Sequence, residues 1–185
     1  VGESVEQPAK YYRNNVLGTF YLLEAMRQAD VRRLVFSSTT AVYGSPSEMP
    51  IHEGLPRCPV NPYGWTKYIV EEMLSHYCQS YEFACVALRY FNAAGAAADG
   101  TIGESHDPES HLIPLVLQVA LGQRESITLF GEDYPTPDGT CLRDYVHVDD
   151  LAQAHQQALE QLRPGNALYL NLGTGKGASV REVIE

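Results

Sequence analysis

Hydrophobic positions along the chain fall into alternating helical and extended patterns. Tyr12, Val16, Phe20, Leu23 and Met26 recur at three- and four-residue spacing and predict a helix over residues 9–29. Gly18 interrupts it at a cost of ~1 kcal/mol relative to Ala, which implies close packing there, and Asp30 ends it. The run Leu34-Val35-Phe36 reads as a buried strand over 34–38 that opens into Ser37-Ser38-Thr39-Thr40. A long loop, 44–62, carries Pro46, Pro50, Pro56 and Pro59. Asn61-Pro62 then marks a helix start, because a residue before Pro avoids the helical region and Pro suits the first turn. The helix runs to about Ser80, and an apolar strand follows over 83–90. Helix–strand–helix–strand implies a parallel sheet with helical crossovers.

The second half is more broken. Residues 93–110 read as loop, 112–121 as an apolar helix with Pro114 in its first turn, and 127–130 as a short strand. A turn-rich excursion spans 131–142, followed by an extended piece at 145–148. Asp149 or Asp150 is the expected cap of a helix to about Leu162. Residues 168–172 form another apolar strand, and a last helix opens at Ser179.

Composition narrows the function classes. With 185 residues, 44% hydrophobic and 19% charged, the chain reads as a soluble globular protein with one sizeable core. No run approaches the ~20 apolar residues that span a membrane. A net charge of −10 argues against nucleic acid, but an anionic small molecule needs only one or two placed Arg residues. Cys58, Cys78, Cys85 and Cys141 lack metal-type spacing and read as free thiols of a reducing cytoplasm. No signal peptide is visible. Glu132, Asp133 and Asp138 read as a solvated turn, so no metal is expected.

Candidate chemistry centres on Tyr63 and Lys67, four apart on one helical face. An ammonium beside a phenol is expected to lower the Tyr pKa from about 10, and such a phenol can take a proton from a sugar hydroxyl. The hydroxyl cluster at 37–40 leaves a parallel strand at its carboxyl end, where doubly wound sheets bind ligands. Gly173-Thr174-Gly175-Lys176-Gly177 follows a strand and opens a helix, but does not fit the Gly-x-x-x-x-Gly-Lys-[Ser/Thr] phosphate loop. A tight strand-to-helix turn is expected instead. Arg143 is the best diphosphate ligand, its forked donors suiting phosphate oxygens; the plain alternative is a surface pair with Asp144 or Asp149.

Four segments occur in order: Phe-Ser-Ser-Thr-Thr-Ala-Val-Tyr-Gly (36–44), Asn-Pro-Tyr-Gly-Trp-Thr-Lys (61–67), Leu-Arg-Tyr-Phe-Asn-Ala-Ala-Gly (88–95), and the long run Leu129 to Leu151 containing Arg-Asp-Tyr-Val-His-Val-Asp-Asp-Leu. In these the chain resembles the extended short-chain dehydrogenases/reductases, and most of all the UDP-glucose (UDP-galactose) 4-epimerases. The last segment is the most specific to them, and the resemblance covers essentially the whole chain.

That resemblance implies an α/β fold: the second half of a doubly wound, Rossmann-type parallel sheet plus part of a smaller substrate-binding domain. Residues 1–92 would be the later part of the NAD-binding domain, 93–144 a substrate-binding segment, 145–172 a helix and strand returning to the sheet, and 173–185 the start of the carboxyl-terminal substrate region. The glycine-rich turn that cradles the dinucleotide pyrophosphate after a first strand is not among these residues, so the sequence reads as an internal fragment whose isolated activity is doubtful.

The resemblance also implies roles. Tyr63 is the base, Lys67 its partner and a holder of the nicotinamide ribose, and Thr39 the hydroxyl that bonds the sugar 4-hydroxyl and the Tyr oxygen. Asn14 and Phe91 lie on the NAD side. Asn92, His111, Leu112, Thr128, Phe130 and Arg143 contact the UDP-sugar, with Leu129 on the strand bordering the uridine. The implied reaction is NAD-dependent interconversion of UDP-glucose and UDP-galactose by transient oxidation at C4, in galactose metabolism, by a cytoplasmic homodimer. Other UDP-sugar epimerases and an inactive fragment remain alternatives. A nucleotide-sugar dehydratase ranks lower, because Thr40-Ala41 stands where those enzymes carry Asp-Glu.

Overall fold

The computed structural model describes residues Val1–Glu185, which divide into two compact units: 1–90 with 153–172, and 91–152 with 173–185. Its elements, in chain order, are α1 (Gly2–Glu6), α2 (Pro8–Tyr11), α3 (Gly18–Gln28), β1 (Arg33–Thr39), α4 (Pro62–Tyr81), β2 (Ala84–Tyr90), β3 (Asn92–Ala94), α5 (Leu112–Ala120), β4 (Leu142–His147), α6 (Val148–Gln161), β5 (Ala167–Leu172), β6 (Gly177–Ser179) and α7 (Val180–Ile184).

The first unit is built on a parallel sheet in the order β1-β2-β5, with Val35 opposite Val86 and Val86 opposite Leu168. β2 sits in the middle, buried from Ala84 to Arg89, which explains why it reads as a continuous apolar run rather than an alternating one. Leu23, Val70, Leu74, Cys78, Phe83 and Cys85 fill one face; Ala84, Val86, Leu88, Ala158 and Leu162 fill the other. Burial of each large side chain contributes about 1.5–3 kcal/mol. β1 pairs with β2 alone.

Two helices of this unit differ from expectation. The one expected over 9–29 is helical from Pro8 to Gln28 but passes through a π-helical turn at Tyr12–Leu17. Gly18 ends that turn, and a Cβ there would meet nothing nearer than the Arg13 carbonyl at 3.9 Å. The glycine therefore marks the change of helical winding, not a close contact. α4 begins where Asn61-Pro62 predicts: the Asn61 side chain accepts from the Gly64 N–H at 2.8 Å.

In the second unit β4 pairs with β3 in parallel and with β6 in antiparallel fashion. Asn92–Ala94, expected to begin a loop past Asn92, forms β3 instead. The strand expected at 127–130 does not form: the segment joins no ladder, and Phe130 is 87% exposed. So short a run becomes a strand only by pairing with a neighbour, and this one stays off both edges of the β3-β4-β6 sheet. Asp149 and Asp150 are not caps. α6 starts at Val148, the His147 Nδ1 accepts the Asp149 N–H at 3.2 Å, and both carboxylates lie in the first turn, where they favour the helix dipole. The glycine-rich turn after β5 passes through β6 before α7, whose start is a Ser179–Glu182 capping box. Nor is the acidic turn simply solvated: the Asp138 carboxylate accepts the Thr140 N–H and hydroxyl, both at 2.8 Å, and the Ser179 hydroxyl. No helix is long and apolar enough to cross a membrane.

Candidate active site

Thr39 is the last residue of β1, where the chain leaves the sheet for a 3-10 turn at Thr40–Tyr43. Its Oγ1 accepts the Ala41 N–H at 3.2 Å, so its proton is available to a second partner. Beside it stands the Tyr63 phenol, whose pKa the Thr39 hydroxyl pulls downward. Tyr63 stands in the first turn of α4, and Gly64 allows the turn so close: a Cβ at 64 would lie 2.6 Å from the Ala41 carbonyl oxygen. The Tyr63 N–H donates to the Ser4 hydroxyl at 3.2 Å, and the Tyr11 ring meets the Tyr63 ring edge-on at 6.3 Å.

Lys67 lies one turn further along α4. Its Nζ donates to the Ser37 carbonyl at 3.0 Å, lies 4.9 Å from the Phe36 ring centroid and 5.9 Å from that of Tyr63. The electrostatics correct the expectation of a lowered phenol. Burial pushes the Tyr63 phenol above its usual pKa, against a smaller pull downward from the Thr39 hydroxyl, and burial also pushes the Lys67 ammonium down. The two charged forms are both disfavoured by desolvation, and the ammonium is committed to a strand carbonyl rather than to the phenol. Lys67 keeps two further N–H donors for a ligand. This constellation can hold a hydroxyl between Thr39 and Tyr63 and exchange a proton with it.

Asn14 sits exposed on the π-helical turn, its amide donating to Asn15 at 3.2 Å. Its neighbour Asn15 makes the longer reach, to Thr66 at 2.9 Å, and Thr66 in turn donates to the Tyr63 carbonyl at 2.8 Å. Ser38, beside Thr39, is buried and gives its hydroxyl to Glu71 at 2.6 Å. Glu71 and Arg89 are both buried and joined by two bonds, 2.8 and 2.6 Å. Sequence reasoning passed over this pair. The available signals were an acidic residue eight positions after Tyr63 on the same helical face, and an arginine inside an apolar strand.

The remaining candidates belong to the second unit. Phe91 precedes β3, with its ring where a Cβ on Gly173 would come within 2.9 Å; Asn92 pairs with Tyr145 in β3 and is exposed. His111 is the residue before α5, Leu112 its first residue. The His111 Nδ1 meets the Glu104 carboxylate, and its ring stacks on His106 at 5.2 Å. Thr128, Leu129 and Phe130 lie along the extended segment, with Thr128 exposed. Arg143, on β4, is exposed and donates only to the Leu142 carbonyl, at 3.4 Å. Neither acidic neighbour takes it: Asp149 stands 3.6 Å from His147, and Asp144 is drawn into the glycine-rich turn.

In that turn the Asp144 carboxylate accepts the Thr174 N–H at 3.0 Å, the Thr174 hydroxyl at 2.8 Å and the Gly175 N–H at 3.0 Å. The amides that a phosphate would use are already bonded to an internal anion. The turn at 173–177 therefore holds out no free amide at Thr174 or Gly175 to a phosphate. Ligand atoms of Glu104, His106, Glu109 and His111 lie within 4.8 Å of one another, a spacing compatible with a cation. The Glu109 carboxylate, however, also accepts the Ser110 and His111 N–H groups at 2.7 and 2.8 Å, which shape the entry to α5.

Residues 1–173 match the NAD dependent epimerase/dehydratase family. The chain is 60% identical over 187 aligned positions to the UDP-glucose 4-epimerase of Halalkalibacterium halodurans, and 58% identical to that of Streptomyces lividans, covering all of this chain and 56% and 55% of those proteins. It superposes on the UDP-glucose 4-epimerase from Brucella ovis in complex with NAD with a TM-score of 0.94 at 55% identity, over 99% of this chain and 57% of that one. The enzyme from Bifidobacterium longum in complex with NAD+ and UDP gives a TM-score of 0.92 at 42% identity, over 98% and 55%. The chain therefore spans a little over half the length of the proteins it matches.

Proposed function

The chain belongs to the NAD dependent epimerase/dehydratase family, and from that premise we propose that the whole protein interconverts UDP-glucose and UDP-galactose. The single observation that carries the reading is that the first turn of α4, brought close to the strand exit by Gly64, sets the Tyr63 phenol beside the Thr39 hydroxyl, with Lys67 one turn further on and anchored to the Ser37 carbonyl. Relatives at 50–60% identity bear the same activity in their names.

Tyr63 receives the proton of the sugar 4-hydroxyl, with Thr39 bridging the two oxygens and stabilising the phenolate by donating to it. Lys67 orients the ribose through its spare donors while its third stays on Ser37. A bound NAD would supply the hydride acceptor and donor for C4, so that the hydride can leave one face of the sugar and come back to the other. Tyr63 then gives the proton back, and C4 is inverted. Arg143, with its guanidinium unpaired by any carboxylate, is the ligand for the diphosphate; Asn92, His111, Leu112, Thr128 and Phe130 meet the sugar and uridine, and Asn14 and Phe91 the cofactor side. We assign residues 1–92 and 145–172 to the nucleotide-binding domain, and 93–144 and 173–185 to the substrate region.

The working form is a homodimer. Its support is the apolar groove between the π-helical turn, α3 and α4, lined by Val16, Leu17, Phe20, Met73 and Tyr77, in which Leu17 and Phe20 are 43% and 40% exposed. The four free thiols suit a reducing cytoplasm, and the reaction places the enzyme in galactose metabolism. The test is a coupled UDP-glucose readout on the whole protein supplied with NAD+ and UDP-galactose. Turnover is expected; its absence with folded, NAD-loaded protein overturns the assignment.

A further inference from the structure

Behind the site lies a buried polar network that the reaction does not use. Glu71, on α4, and Arg89, on β2, face each other with no solvent exposure to speak of, 0% and 2%. The Arg89 Nε and Nη2 donate to the two Glu71 oxygens at 2.8 and 2.6 Å. The second Arg89 arm donates to the Tyr43 hydroxyl at 2.7 Å, and Tyr43 donates to Asn171 of β5 at 2.8 Å. Arg57, from the proline-rich loop, reaches the same carboxylate at 3.2 Å. Ser38 completes it with a 2.6 Å bond to the Glu71 Oε1.

A buried ion pair is a poor device for stability alone, since packed hydrophobic residues of the same volume often do as well or better. It does fix geometry, because its donors and acceptors must all be met at once. The geometry fixed here is specific. Glu71 is eight residues, a little over two turns, beyond Tyr63 on one helix; Ser38 is the residue before Thr39 on the strand; Tyr43 closes the turn that Thr39 opens. One carboxylate thus ties the helix carrying the phenol to the strand carrying the hydroxyl.

We propose that Glu71 and Arg89 are positioning residues, which act through Ser38 to set the Thr39 hydroxyl against the Tyr63 phenol. The inference rests on the epimerase reading for its assay. Neither residue touches substrate; each acts by holding a catalytic group within the few tenths of an ångström that proton transfer needs.

Glu71→Gln strands a buried guanidinium and is liable not to fold, so the decisive variant is Ser38→Ala, which removes one link and leaves the ion pair whole. In the whole protein, Ser38→Ala is expected to lower kcat roughly 10- to 100-fold with an unchanged KM for UDP-galactose, while the thermal midpoint falls by only a few degrees for the lost bond to Glu71 and the protein stays folded at the assay temperature. In a Thr39→Val background the same change is expected to cost nothing further, because its effect passes through Thr39. Glu71→Met with Arg89→Met, which replaces the pair by apolar side chains, is expected to keep the midpoint and lose turnover. Wild-type kcat in Ser38→Ala, or losses that simply multiply in Ser38→Ala/Thr39→Val, overturn the proposal. If the wild-type protein itself fails to epimerise while Thr39 and Tyr63 stay in place, the functional reading fails instead, and the two failures are distinct.

Discussion

Lys67 is bonded to the strand and not to the phenol: its Nζ donates to the Ser37 carbonyl at 3.0 Å, while the Tyr63 ring centroid is 5.9 Å away. The lysine therefore braces α4 against β1 two residues before Thr39, and Tyr63 is tuned by burial and by Thr39. A phenol raised above its usual pKa in the ligand-free chain must acquire its base character from charge brought by a ligand.

Tyr63→Phe is expected to lower kcat about 10²- to 10⁴-fold, the usual cost of removing a general base, with little change in UDP-sugar affinity. Steady-state kinetics with equilibrium binding on the whole protein checks it; unchanged turnover removes Tyr63 from its role.

Only the hydroxyl of Thr39 enters the reaction, so Thr39→Ser is expected to turn over at close to the wild-type rate and Thr39→Val far more slowly. Equal rates for the two variants would remove the Thr39 hydroxyl from the reaction.

Gly64→Ala places a methyl 2.6 Å from the Ala41 carbonyl oxygen. The clash is with backbone, and the Pro59 Cβ stands 3.2 Å away, so the first turn of α4 must shift. Overpacking of this kind costs about 1–3 kcal/mol, or roughly 2–4 °C in melting temperature per kcal/mol for a domain of this size. Because the shifted turn carries Tyr63, kcat is expected to fall as well. Calorimetry and kinetics on one sample measure both.

Glu24 is hydrogen-bonded by Arg27 and Tyr77, which hold its carboxyl down to about 2. A depressed carboxyl stabilises the fold above its unfolded pKa near 4.5, and that contribution is lost as pH falls from there toward 2. Glu24→Gln is therefore expected to melt below the wild type at pH 7 and to converge with it near pH 2. A gap that stays constant across the range would refute the assignment. The partner, Tyr77, is pushed up to about 12, so its share is lost from pH 10 upward.

Much of the first unit was legible because its signals are local. Leu34-Val35-Phe36 is apolar without a break, so β1 was readable; Asn61-Pro62 is a helix start by backbone sterics, so α4 was too. Tyr63 and Lys67 were marked by residue type and spacing, Thr39 by the family resemblance and its place at the strand exit, and the fold brings them together. What stayed hidden depends on partners distant in sequence. Residues 127–130 look like a strand but pair with neither edge of the β3-β4-β6 sheet. The direction of the Tyr63 pKa shift turned on burial, which spacing does not report. Glu71 and Arg89 explain each other only once helix and strand are packed. Asp144 offered no hint that its carboxylate would reach thirty residues ahead.

Asp144 stands in the turn at Thr174 and Gly175 as a built-in counterfeit of an oxyanion, with three donors converging on it. Taking the carboxylate away leaves those three donors without an acceptor and open to a guest anion. Asp144→Ala is thus a route to a synthetic anion receptor: inorganic phosphate or sulfate is expected to raise the melting temperature of the variant and leave the wild type unmoved. A glycine-rich turn can be fully competent to grip an anion and yet be mute, because the chain has answered it from within.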